Sequence, residues 1–223
     1  KFMRNLHSNI ITNASDILLD IDGVILDQSF DNLFWQELIP LKLSISKNIS
    51  LEEAKLEIKT TASKIYGTLP WYELEFWENR YDIDFLSVAA EHSSKINFLP
   101  NAEQTLNQLS SLDKRIILLT NCDPRLLNIK AGSVPFMQYV DGCISSVEFG
   151  VVKEHQGFWS KAFRYFNINP KFSLFADDNL YVVNAAVKAG IENSFQVLEP
   201  TSDVKIINEP EAILTIRNIG DLI

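Results

Sequence analysis

The sequence predicts an α/β protein, a doubly wound parallel sheet of Rossmann-like type carrying an inserted helical segment. Three observations lead there. Short, nearly continuous apolar runs recur at 17–21, 116–120, 143–147 and 172–176; runs of this length without alternation belong to strands buried on both faces. Helical apolar spacing lies around and between the last three. About seventy residues, 28–98, separate the first run from the others and are mostly helical in pattern.

Taken in order, the first strand closes at Asp20 and Ile21, and segment 28–98 follows, rich in large aromatics such as Phe34, Trp35, Trp71 and Trp77. A parallel crossover needs only about a dozen residues, so this segment reads as an inserted helical domain. The expected division is a core of 1–27 and 99–223 and a helical cap of 28–98. Helix 101–112 carries Ala102, Leu106 and Leu109; helix 156–166 carries Phe158, Trp159, Ala162 and Phe166; helix 179–189 carries Val182, Val183, Ala186 and Val187. Strand and helix alternate, which implies a parallel sheet covered on both faces. Past Thr201 a further strand is expected at 204–207, and a weak helical stretch from Glu211.

With 223 residues, 46% hydrophobic and 22% charged, the chain can bury a substantial core, as one domain with an insertion or as two modest ones. The net charge of −9 and the lack of any Lys/Arg run exclude sequence-independent nucleic-acid binding, which needs a basic surface. An anionic substrate then requires local positive charge from a metal ion or a placed lysine. Cys122 and Cys143 are too few for a disulfide scaffold and read as free thiols of a reducing cytoplasm, with one disulfide as the alternative. No apolar run approaches the ~20 residues of a membrane helix and no signal peptide is visible, so a soluble cytoplasmic protein without a membrane partner is expected. The sequons at Asn13 and Asn48 are then chance matches, and Met3 reads as the native start.

The chemistry concentrates at the strand ends. In "DILLDIDGVILD" an apolar run delivers Asp20 and Asp22 together, with Gly23 allowing a tight turn behind them. "RIILLTNCD" ends in Thr120 and Asn121, a hydroxyl and backbone amides suited to phosphoryl oxygens. "EFGVVKEHQGFW" supplies Lys153, which in isolation would read as a surface lysine. "SLFADDNL" ends in Asp177 and Asp178, adjacent acids that are costly to keep together unless a hard cation neutralises them.

As an ordered set, Asp20 and Asp22, then Thr120, Lys153, and Asp177 with Asp178, resembles the haloacid dehalogenase superfamily, with a match to each of its four motifs. The resemblance implies Asp20 as nucleophile and metal ligand, and Asp22 as general acid and base that lends its carbonyl to the metal. It further implies Thr120, the amide of Asn121 and Lys153 on the phosphoryl oxygens, and Mg²⁺ held by Asp20, Asp22, Asp178 and Asp177. Segment 28–98 stands where that superfamily places its first type of cap. "SFDNLFWQELIP", "TLPWYELEFWENRYDID", "ILLTNCDP" and "FGVVKEHQGFW" are similar to the bacterial GMP/IMP 5'-nucleotidase branch. Two positions depart from the superfamily pattern: Glu154, where many members have proline, and Asn184, where some have an acid.

The activity this implies is Mg²⁺-dependent hydrolysis of a small phosphorylated metabolite, a purine nucleoside monophosphate, through an aspartyl-phosphate. A sugar-phosphate phosphatase or a phosphomutase of the same fold is the alternative. In the cap, Trp71 and Tyr72, following Pro70 in an expected turn, can stack on a purine, and Asp31 and Asn32 can bond its edge; the competing reading makes the aromatics the cap's own core. A haloalkanoate dehalogenase needs neither Asp22 nor the Asp177 and Asp178 pair. A receiver domain places its acid pair before a separate phospho-acceptor strand and has no large cap.

Overall fold

The computed structural model describes residues 9–203 and 207–223, so Met3 and most of the strand expected at 204–207 lie outside the described residues. β1 (Asp16–Leu19) leads into α1 (Ser29–Leu33), a π-helical turn at Phe34–Leu38, α2 (Ile39–Lys47), α3 (Leu51–Ile65), α4 (Leu69–Tyr72), α5 (Leu74–Tyr81) and α6 (Phe85–Glu91). Then come α7 (Ala102–Ser110), β2 (Arg115–Thr120), α8 (Pro124–Ser133), β3 (Gly142–Ser145), α9 (Ser146–Phe149) and α10 (Gln156–Phe166). β4 (Ser173–Asp177), α11 (Leu180–Lys188), β5 (Asn193–Val197) and β6 (Leu214–Ile216) complete the described chain.

The six strands pair in parallel in the order β3-β2-β1-β4-β5-β6. β1 is central: Leu19 lies opposite Leu118 of β2 on one side and Ala176 of β4 on the other. The chain reverses its direction of travel across the sheet beside β1, so the C-terminal ends of β1, β2 and β4 border the crevice where such sheets bind ligands.

Side-chain alternation divides the core. Leu18, Ile117 and Phe175 face α10 and α11 through Phe158, Trp159 and Val182. Ile17, Leu19, Ile116 and Leu118 face the other way, where the apolar cluster runs through Leu106 and Leu109 and on into Phe34, Leu43, Trp77 and Phe85 of the inserted helices. The insertion therefore shares a continuous apolar core with the sheet, each fully buried large side chain contributing roughly 1.5–3 kcal/mol. Where the chain leaves and rejoins the sheet, the two connections run side by side: Asp27 N–H donates to Asn97 O at 3.0 Å and Leu99 N–H to Ile25 O at 2.9 Å.

Several elements differ from the sequence expectation. The apolar run 143–147 stops being a strand at Ser145, whose side chain accepts from Val147 N–H while Glu148 accepts from Ser145 N–H, a capping box that starts α9. β5 carries the polar Ser194 and Gln196 in buried positions, so it does not read as an apolar run; Ser194 donates to Ile191 O, and Gln196 bonds Glu209, Glu211 and Ala212 of the following loop. The helix expected from Glu211 is instead edge strand β6 and a short 3₁₀ turn at Ile219–Leu222. Trp71 and Tyr72 lie in short helix α4 rather than a turn. α8, absent from the sequence reading, is announced by Asp123 as N-cap and Pro124 at its first position.

Candidate active site

Asp20 emerges immediately beyond β1, tied down by its N–H to Ala176 O at 3.0 Å, and Asp177 ends β4 alongside it. Lys153 reaches between them from the loop before α10. Its side chain is 1% exposed, and its ammonium donates to Leu119 O at 2.9 Å and to Asp177 Oδ2 at 2.7 Å and stands 2.8 Å from Asp20 Oδ1. That last contact is at ion-pair distance but off hydrogen-bond direction, so the buried Asp20 Oδ1 accepts no hydrogen bond. Asp178 Oδ2 accepts from Gln28 Nε2 at 2.6 Å, and Asp178 O accepts from Asn208 Nδ2 at 3.0 Å. Gly23, with φ +79°, passes so close that a Cβ there would meet Gln28 Nε2 at 2.7 Å, Asp178 Cγ at 2.9 Å and Pro200 Cβ at 3.0 Å.

Carboxylate oxygens of Asp20, Asp177 and Asp178 lie within 4.8 Å of one another. Burial raises Asp20 to about 7, with Asp177 adding and Lys153 opposing. Burial likewise raises Asp178 to about 7, with Asp20 adding, and Asp177 to about 6 against the pull of Lys153. Three acids thus crowd around one ammonium, a local deficit of positive charge. The unsatisfied Asp20 oxygen, the all-oxygen donor set and this deficit fit a hard divalent cation such as Mg²⁺.

Asp22 points to a different cation. Its Oδ1 accepts from Lys130 Nζ at 2.6 Å, and the same ammonium donates to both oxygens of Asp31 at 2.8 and 2.9 Å. Lys130 is 1% exposed; burial opposes its charge, yet Asp22 and Asp31 outweigh this and raise its pKa. Burial and the neighbouring Asp22 lift Asp31 to about 7, with Lys130 opposing.

Above the acids a cavity of about 850 Å³ extends under the inserted helices, lined by Asp20, Asp22, Thr120, Asn121 and Lys153 at its floor and by Asn32, Trp35, Lys59, Trp71 and Tyr72 on the insertion side. This is the size of a site for a drug-sized or nucleotide-sized ligand. Trp71 packs edge-on against Tyr66 and Trp77, at centroid separations of 5.2 and 6.1 Å, so it serves the insertion's aromatic cluster while facing the cavity. The seam between insertion and sheet is polar: Leu74 N–H donates to Asp123 Oδ2 at 2.9 Å, Arg125 pairs with Glu78 at 2.9 Å, and Tyr72 Oη donates to Glu154 at 2.7 Å.

Residues 17–190 match the model of the haloacid dehalogenase-like hydrolases. The chain belongs to that family. It is similar to the GMP/IMP nucleotidase YrfG of Escherichia coli (strain K12), 30% identical over 200 residues that cover 89% of this chain and 90% of the relative, and equally to its counterpart in Shigella flexneri. Among solved structures, a HAD phosphatase from Thermococcus onnurineus superposes with a TM-score of 0.79 at 19% identity, covering 93% of this chain and 95% of that one. A protein of Thermotoga maritima assigned as a β-phosphoglucomutase superposes with a TM-score of 0.62 at 16% identity, covering 93% of this chain and 96% of that one. These two show the fold. The hydrolase is an enzyme of the phosphatase class, as its family and its 30% identical nucleotidase relatives indicate. Among the described residues no helix is long and apolar enough to cross a membrane.

The hydrolase brings Asp20, Asp22, Thr120, Asn121, Lys153, Asp177 and Asp178 to one cavity floor, and Asp31, Asn32, Trp71 and Tyr72 to its walls. Asp31 is occupied by Lys130, and Asn32 accepts from Gln36 Nε2 at 3.3 Å. Asn184 is solvent-exposed on α11. Sequence reasoning missed Lys130, Gln28, Asp123 and Asn208, and read Glu154 only as a departure from a family pattern. For Lys130 a signal existed: it sits four residues after Leu126 on the buried face of α8, where a lysine needs partners.

Proposed function

We propose that the chain is a Mg²⁺-dependent phosphomonoesterase that forms an aspartyl-phosphate on Asp20, with purine nucleoside 5'-monophosphates of the GMP and IMP type as substrates. The observation that carries this is Asp20 itself, a buried carboxylate at the floor of a nucleotide-sized cavity, set between Lys153 and the Asp177 and Asp178 pair. A dehalogenase would have no use for Asp22 or for that pair.

Asp20, Asp177, Asp178 and the carbonyl of Asp22 would hold Mg²⁺, which supplies charge neutralisation and orientation of the phosphoryl group. An Asp20 oxygen attacks phosphorus in line as the ester P–O bond breaks. Lys153, the Thr120 hydroxyl and the backbone amide of Asn121 bind the equatorial oxygens, where charge is spread. Asp22, held by Lys130 through Oδ1, gives the proton on its other oxygen to the leaving alkoxide. It then takes a proton from the water that attacks phosphorus, the bond to Asp20 breaks, and inorganic phosphate leaves. Residues 28–98 act as the cap, excluding water and contacting the base. IMP and GMP share a 6-oxo group where AMP carries an amino group, so a donor on the cap wall discriminates them.

A phosphate-release screen over nucleotides, sugar phosphates and 2-haloacids, with and without Mg²⁺, tests the reading. IMP and GMP should be hydrolysed ahead of AMP, pyrimidine nucleotides and sugar phosphates, and Asp20→Asn should lose several orders of magnitude in kcat. A sugar phosphate that clearly outperforms IMP removes the nucleotidase assignment, and near wild-type turnover by Asp20→Asn removes the mechanism.

A further inference from the structure

Glu154 follows Lys153 directly and has no part in the steps above, yet its carboxylate joins three separate pieces of chain. Oε1 accepts from the Tyr72 hydroxyl of α4 at 2.7 Å, and Oε2 accepts from Asn121 Nδ2 at 3.0 Å. Asn121 Oδ1 accepts in turn from the backbone N–H of Lys153 at 3.0 Å, whose carbonyl accepts from Trp159 Nε1 at 2.8 Å. The Asn121 amide therefore has one orientation: turned over, it would set NH₂ against N–H on one side and carbonyl against carboxylate on the other. The backbone of Lys153 is clamped from the sheet side by Trp159 and from the cavity side by Asn121, and Asn121 depends on Glu154 for its second bond.

We infer that Glu154 is a positioning residue that couples the seating of the inserted helices, through the Tyr72 hydroxyl, to the placement of Asn121 and Lys153 against the phosphoryl group. The inference rests on the phosphatase reading for its kinetic consequence. When Tyr72 is seated, the half-buried carboxylate has a donor on each oxygen and holds Asn121 in register. When the insertion lifts, one donor goes, the carboxylate turns toward water to replace it, and Asn121 loses the contact that fixes its amide. The hydroxyl of Tyr72 thus belongs to a latch, which leaves only its ring for contact with a base. The same stretch of insertion carries a reporter: the Leu74 N–H, two residues on, is buried against Asp123 Oδ2 across the seam.

Tyr72→Phe removes the hydroxyl and keeps the ring. It should lower kcat about tenfold for IMP and for p-nitrophenyl phosphate alike, with KM moving much less, because the loss acts on the phosphoryl site rather than on the base. Glu154→Ala should fall at least as far. Glu154→Gln should keep most of the rate, since its amide can donate to the Tyr72 oxygen and accept from Asn121. The double variant Tyr72→Phe/Glu154→Ala should be no slower than Glu154→Ala alone, as expected of two members of one chain of contacts. Amide exchange at Leu74, followed by NMR with Mg²⁺ and inorganic phosphate present, should accelerate severalfold in Tyr72→Phe. Wild-type kcat in Tyr72→Phe, multiplicative losses in the double variant, or unchanged exchange at Leu74 would overturn the latch. A wild-type enzyme that released phosphate from no monoester would defeat the proposed function instead, and exchange at Leu74 would still decide the latch by the same criterion.

Discussion

Lys130 Nζ stands 2.6 Å from Asp22 Oδ1 and, through the same ammonium, 2.8 Å from Asp31 Oδ1, so one buried cation from α8 holds the second acid of the site and the first helix of the insertion together. Removing it strands two carboxylates beside each other. Lys130→Met should destabilise the protein by about 3 kcal/mol in chemical denaturation, the low end of what breaking a buried ion pair costs because both acids keep some solvent. Lys130→Met/Asp31→Asn should recover part of that stability by removing one stranded charge. Equal stability of the single and double variants would show that Asp31 carries no uncompensated charge.

Gly23 is required for two independent reasons, its positive φ and the three close approaches to a Cβ, one of them the carboxyl carbon of Asp178. Gly23→Ala should therefore cost about 1–3 kcal/mol in stability through backbone strain and crowding. It should weaken Mg²⁺ affinity more than Gln28→Ala, which removes only the hydrogen bond to Asp178. Titration of the protein with Mg²⁺ by calorimetry compares the two directly.

Binding of a divalent cation at Asp20, Asp177 and Asp178 should appear as stability. Mg²⁺ at a hundred times its dissociation constant should raise the unfolding free energy by about 2.7 kcal/mol, seen as a higher Tm. The shift should vanish in Asp20→Asn/Asp178→Asn. Calcium should raise Tm while inhibiting turnover, because its looser coordination tolerates the same oxygens without fixing the phosphoryl group in line. A Tm indifferent to Mg²⁺ in the wild type would take the metal out of this site.

Asp27 sets an acid limit on stability. Burial opposes its charge, but bonds from Ser202 N–H, Ser29 N–H and the Thr201 hydroxyl outweigh burial and hold its carboxyl below the ordinary range. A lowered folded pKa means the stabilisation is complete above the unfolded value near 4 and is lost as pH falls through the folded value. Asp27→Asn should cost about 1–2 kcal/mol at neutral pH, and the gap from wild type should close below about pH 4. A gap of constant size from pH 7 to pH 3 would count against this role.

Asp20, Asp177 and Asp178 were legible because each stands at the end of a short apolar run, a local pattern, whereas Lys153, in the loop between α9 and α10, was singled out only by its place in the ordered set of motifs. Lys130 and Glu154 were not, for they act on partners 108 and 82 positions away, Asp22 and Tyr72, a distance no periodicity spans. β1, β2 and β4 announced themselves through Leu, Ile and Ala, whereas β5 hid behind Ser194 and Gln196, polar groups whose burial makes sense only once the loop around Glu209 to Ala212 is folded onto them. The wall of the cavity was half legible: Trp71 was marked by its type, but its edge-on contacts with Tyr66 and Trp77 depend on how α3, α4 and α5 pack.

The paired connections at residues 25–27 and 97–99 give the inserted helices two ends that meet at hydrogen-bonding distance, joined by an antiparallel bridge between Leu26 and Phe98. A chain that leaves and returns through one bridge has no distance between strands to span, so the length of the insertion is not set by the sheet as that of a crossover would be. What ties the helices to the sheet is the apolar core they share with it and Lys130, which grips Asp22 and Asp31 at once, so added length at the far end leaves the end of β1 in place whereas a change at Phe34, Trp77 or Phe85 reaches the sheet.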